Sequence, residues 1–184
     1  MLFKQHAMEH FHPQLRQPAT LSLIMAVVAM VLGIVVYLLD RQAESVYFMS
    51  DWMALGDGHG SAFGLVGQHL PTFVHVYTFI LLTMALVVPG ECYRKYLLPV
   101  CLGWFLVDSL FEIAQLDFIA RHIANWVPDW FANIPFLENT ASYFIVGTFD
   151  VLDLVSIGLG TLAAYVTIQI ILKRSTHSAT PVCQ

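Results

Sequence analysis

The stretch Leu97-Leu98-Pro99-Val100-Cys101-Leu102-Gly103-Trp104-Phe105-Leu106-Val107-Asp108-Ser109-Leu110-Phe111-Glu112-Ile113-Ala114-Gln115 decides how this chain is read. It is apolar enough to lie in a bilayer, yet it carries two carboxylates and an amide. On a helix, Asp108 and Glu112 are four residues apart and Glu112 and Gln115 three, so all three project from one face. An ionised carboxylate facing lipid is costly, so that face is expected to look inward, towards protein or a wet cavity.

The rest of the chain shares this character. Of its 184 residues 58% are hydrophobic and only 11% charged, with a mean hydropathy of +0.69. A soluble domain is about one half apolar and one quarter charged, so the sequence describes an integral membrane protein. Apolar runs predict helices over about 21–39, 70–89, 97–116 and 149–172, each of a length that crosses the hydrocarbon layer. They form one transmembrane domain, 21–172, between an N-terminal segment, 1–20, and a tail, 173–184. The expected fold class is an all-α membrane protein: four transmembrane helices with two amphipathic extracytoplasmic loop segments. The first segment, 42–69, holds Tyr47, Phe48 and Trp52, which suit a short helix on the membrane surface. The second, 117–148, holds Trp126, Trp130, Phe131 and Phe136. Pro18 reads as part of the broken segment before helix 1, and Pro71 as the first turn of helix 2.

Lys4, Arg16, Arg94, Lys95, Lys173 and Arg174 fall on one side of this arrangement, and Arg41 and Arg121 on the other. The positive-inside rule then puts both termini in the cytoplasm. Scattered basic residues make no patch for nucleic acid, so no nucleic-acid partner is expected. Cys92, Cys101 and Cys183 lie near the cytoplasmic face or in the tail, and no structural disulfide is expected. His6, His10 and His12 read as an interfacial segment rather than a metal tract. The cluster Gly56, Gly58 and Gly60 lacks phosphate-loop spacing.

With this topology the ionisable groups converge. His75 enters on helix 2, Gln115, Glu112 and Asp108 leave on helix 3, and Asp150 and Asp153 open helix 4, all in the outer half. Each has a plain explanation alone: Asp150 as a helix cap, His75 bonded to a carbonyl, Asp108 protonated, Glu112 and Gln115 bonding helix ends. Together they suggest a site, because several ionisable groups removed from water need compensation. Asp108, Glu112, Asp153 and His75 have the chemistry to hold a divalent cation, although neither HExxH nor di-iron spacing occurs. His75 and Glu112 also suit a general acid and base acting on a lipid headgroup. An ion or proton pathway would use the same residues, but the apolar inner half argues against it. Ser156, Gly160 and Ala164 form a small-residue row expected to bring helices 3 and 4 together.

Three motifs carry a resemblance: Pro71-Thr72-Phe73-Val74-His75, then Phe111-Glu112-Ile113-Ala114-Gln115, then Phe149-Asp150-Val151-Leu152-Asp153-Leu154 followed by Gly158-Leu159-Gly160. In their order the chain resembles the VanZ-like family of small polytopic bacterial membrane proteins, over roughly residues 70–165. The founding member of that family is associated with resistance to a lipid-tailed glycopeptide antibiotic. The sequence departs from the family where an Arg usually precedes the Asp-x-x-Asp helix and an Asn follows it; here Gly147 or Thr148, and Ile157, stand. The resemblance implies a bacterial inner-membrane protein. Its expected function is an outward-facing polar pocket that binds or modifies an envelope lipid or amphiphile. His75, Asp108, Glu112 and Asp153 would supply the chemistry, and Gln115 and Asp150 the binding. Two alternatives stand beside it: a non-catalytic accessory subunit of a larger membrane complex, and an ion or proton carrier. Membrane lipids, and for the second reading other subunits, are the expected partners.

Overall fold

The computed structural model describes residues 12–40, 63–89, 92–134 and 137–175. His6 and His10, the surface helix expected within 42–62, the glycine cluster and the tail from 176 lie outside the described residues. Among the described residues six α-helices follow one another: α1 (His12–Asp40), α2 (Gly64–Leu86), α3 (Tyr93–Ile113), α4 (Asp117–Trp126), α5 (Thr140–Val146) and α6 (Val151–Ser175). A 3-10 turn, Asp129–Asn133, joins α4 to α5. Helices α1, α2, α3 and α6 are each long and apolar enough to cross a membrane, which makes this an all-α, multi-pass membrane protein.

Helix boundaries differ from expectation in a consistent way. α1 begins before Pro18 and α2 before Pro71, and α3 carries Pro99 in its interior. A proline removes one helical N–H, but in a membrane helix the freed carbonyl is re-satisfied by neighbouring groups, so the helix runs on through it. The consequence for α2 is that Gln68 and His69, read as loop, lie on the helix. At its other end α3 is shorter than expected. The Gln115 N–H bonds to the Glu112 carbonyl and the Leu116 N–H to that of Ile113, both at 3.0 Å, which tightens the chain into a 3-10 turn. Gln115 therefore lies in this turn, just beyond the end of the helix.

α2 is the central helix, packed on α1, α6 and α3. Its buried side chains Val76, Ile80, Leu81 and Met84 meet Leu97 of α3 and Ile157 and Ile168 of α6 in one core. On α1 the buried positions include the small residues Ser22, Ala26 and Gly33, while Ile24, Val28, Val31 and Leu32 are exposed. Lipid is the solvent for that outer face, so apolar exposure there carries no penalty. A Cβ on Gly33 would lie 2.7 Å from Cγ1 of Val74, so α1 and α2 approach closely.

The small-residue row of α6 serves a different neighbour from the one expected. α3 does pack on α6, but Gly160 faces α2: a Cβ there would lie 2.5 Å from Cγ1 of Val76 and 2.6 Å from the Phe73 carbonyl oxygen. The reason is rotational: Ile157, Gly160, Ala164 and Ile168 share one helical stripe, and α2 occupies it.

α4 and α5 pack on each other at the end where α3 stops and α6 starts. α4 buries Ala120 and exposes Phe118 and Trp126, as an interfacial helix does. Its Arg121–Asp117 ion pair, 2.9 Å long, is largely exposed on both sides. Such pairs contribute little, so Arg121→Ala is expected to leave the thermal unfolding midpoint in detergent unchanged. Arg94, Lys95, Lys173 and Arg174 lie at the opposite end, hereafter the basic end. Cys101 is a free, buried thiol. Cys92, expected to be free, is disulfide-bonded.

Candidate functional site

The site is built on the first residues of α6. Gly147 to Asp150 run without regular structure, and Asp150 then caps the helix: its Oδ1 accepts the Leu152 N–H at 2.8 Å. The Asp150 N–H is itself donated to Oε1 of Glu112 at 2.7 Å. Glu112 is buried near the end of α3, so its carboxylate tethers α3 to the positive end of α6. One turn on, Asp153 Oδ1 accepts two bonds from α2: from His69 Nδ1 at 3.0 Å and from Thr72 Oγ1 at 2.9 Å. The other ring nitrogen of His69 lies 3.9 Å from Asp150 Oδ2. Three helices and three carboxylates thus meet around the His69 imidazole.

His75 and Asp108 form a separate pair. His75 Nδ1 is 3.1 Å from Asp108 Oδ2, with Asp108 buried and the His75 side chain 52% exposed. The six-residue separation of His69 and His75 turns them about 120° apart around α2. His69 therefore faces α6, and His75 faces α3 and the flank of the bundle. Beneath His75 an aromatic strip follows the α2–α3 groove. The His75 and Phe79 rings are 4.5 Å apart, those of Phe79 and Trp104 are 4.8 Å apart, and Trp104 Nε1 donates to Thr83 Oγ1 at 2.9 Å.

Of the expected residues, Glu112, Asp150 and Asp153 are brought together at the end of the bundle. His75 and Asp108 pair with each other, so His75 does not act with Glu112. Gln115 sits in the turn after α3, where its Nε2 donates to the Tyr143 hydroxyl of α5 at 3.4 Å. Gly147 is needed there, because a Cβ would lie 2.6 Å from Gln115 Oε1. His69 and Thr72 were missed. Their signal was helical spacing, three residues apart, visible once the helix is carried back through Pro71. Among the described residues no three His, Cys, Asp or Glu side chains form a group fit to hold a metal ion.

No family model, curated protein or solved structure matches this chain. The reading of the site therefore rests on its chemistry. Glu112 and Asp150 have one oxygen each committed to backbone N–H groups, and Asp153 has one committed to His69 and Thr72. What such an arrangement can do is accept hydrogen bonds from hydroxyl or amine groups and pass protons through an imidazole held by a carboxylate.

Proposed function

We propose that this chain is a VanZ-like protein of the bacterial inner membrane whose outward-facing polar pocket binds or modifies an envelope lipid or amphiphile. The observation that carries this reading is the network at the end of the bundle. His69 and Thr72 from α2, Glu112 from α3, and Asp150 and Asp153 from α6 converge where a lipid headgroup would lie. The pocket is acidic, and Gly147 or Thr148 stands where the resemblance would put an arginine. Its contacts with a ligand are accordingly to hydroxyls and amines rather than to a phosphate gripped by arginine.

Lipids that survive gentle purification, identified by mass spectrometry, test the reading. The parent is expected to retain a defined lipid class, and Asp153→Asn and His69→Gln to lose it at least ten-fold while remaining folded. An identical lipid profile in all three proteins would overturn it. Orientation is tested separately. Arg94, Lys95, Lys173 and Arg174 at one end, against Arg121 at the other, support cytoplasmic termini. A phosphatase reporter fused to the tail is expected to be silent; an active reporter would put the pocket on the cytoplasmic side.

A further inference from the structure

We propose that the α2–α3 flank is a lateral lipid groove in which His75 accepts a hydrogen bond from the free hydroxyl of a diacylglycerol. The inference deepens the lipid reading above, which it needs only for the class of ligand. It begins with an anomaly. An ionisable side chain within a membrane helix normally faces the bundle interior or a wet cavity. His75 instead stands half exposed on the flank, and only its Asp108 partner is buried.

Depth gives the first clue to what meets it. His75 lies six residues beyond His69 along α2, about 9 Å further in. Asp108 lies four residues before Glu112 on α3, about 6 Å further in from the same end. The polar zone of a bilayer is only about 5–7 Å thick on each side. If the His69–Glu112 tier is level with headgroups, the His75–Asp108 tier is level with the glycerol backbone and the acyl esters.

Hydrogen-bond chemistry gives the second. His75 Nδ1 lies against Asp108 Oδ2, and the tautomer that donates Nδ1–H to this carboxylate carries its acceptor at Nε2. An ester carbonyl has no proton to give it, whereas a glyceride with an unsubstituted hydroxyl does. The apolar part of such a lipid also has a surface to follow. Phe79 and Trp104 continue the groove below His75, with Trp104 fixed to Thr83 so that its ring is held in place. A hydroxyl at His75 with an acyl chain along Phe79 and Trp104 satisfies the imidazole and covers the strip.

Trp104 is the reporter for the test. In the full chain carrying Trp52→Phe, Trp126→Phe and Trp130→Phe, Trp104 fluorescence is measured in vesicles with dibrominated diacylglycerol or dibrominated phosphatidylcholine at equal mole fraction. Quenching by the diacylglycerol is expected to be at least two-fold stronger, and His75→Leu to bring the ratio to one. Unbrominated diacylglycerol, but not unbrominated phosphatidylcholine, should relieve the quenching, a comparison that requires no variant at His75. Equal quenching by the two lipids, or a preference surviving His75→Leu, would overturn the proposal. So would a Trp104 shielded from both lipids in a protein that runs as an oligomer, which would assign the groove to a protein partner. Asp153→Asn separates the two proposals: it is expected to lose the retained lipid class and to keep the Trp104 preference, so a class kept in Asp153→Asn overturns the end-pocket reading alone, and equal quenching in a parent that retains its lipid class overturns the groove alone.

Discussion

Gly160→Ala is expected to destabilise this protein by forcing α2 and α6 apart. The new Cβ would sit 2.5 Å from a Val76 methyl and 2.6 Å from the Phe73 carbonyl oxygen. The valine can rotate, but the carbonyl is backbone of the central helix and can move only if α2 and α6 separate. Overpacking of this kind costs about 1–3 kcal/mol, against about 1 kcal/mol gained from alanine's better helix propensity. The clash should win, lowering the thermal midpoint in detergent and the yield of folded protein. Gly158→Ala and Gly103→Ala are the controls, because nothing lies within 4 Å of a Cβ at either. They should be neutral or slightly stabilising. A Gly160→Ala protein as stable as these two would refute the close α2–α6 approach.

The second large effect is expected at Asp153. Its Oδ1 is the acceptor for both His69 and Thr72, and the three side chains are only partly exposed. Asp153→Ala strands both donors and removes an acidic group from the first turn of α6. Leaving a buried donor without a partner costs about 1–3 kcal/mol, and the lost helix-end charge adds up to about 1 kcal/mol. Asp153→Asn, which keeps an acceptor oxygen, should recover much of the stability. A double-mutant cycle with His69→Ala measured by thermal or denaturant unfolding should show the two changes to be strongly non-additive. Additive losses would mean that His69 and Asp153 do not act as a unit.

The motifs of the VanZ-like resemblance and the physical reading both pointed to His75, Glu112, Gln115, Asp150 and Asp153; of these the structure brings together Glu112, Asp150 and Asp153, while His75 pairs with Asp108 and Gln115 with Tyr143. The three that meet were legible because each lies at a helix end, where depth can be counted from an apolar boundary. His69 was not legible. Proline was taken as a start signal, as it is in water-soluble helices, so the residues before Pro71 were assigned to a loop. The same assumption began α1 after Pro18. In both places the membrane setting overrides the signal, because breaking the helix would expose several backbone groups to hydrocarbon while the proline removes only one N–H.

Composition and the length of apolar runs determined the fold class, since no soluble architecture tolerates so little charge, and these are sums over residues that need no partners. They also determined at which end the acids gather, because depth along a helix is a matter of counting. Rotation was decided only by the tertiary structure. Which face of α6 meets α2 rather than α3, whether Gln115 stays on the helix, and whether His75 looks at Glu112 or at Asp108 all depend on where neighbouring backbones lie. A helix specifies the angle between its own side chains, but only packing fixes the direction in which the set is turned.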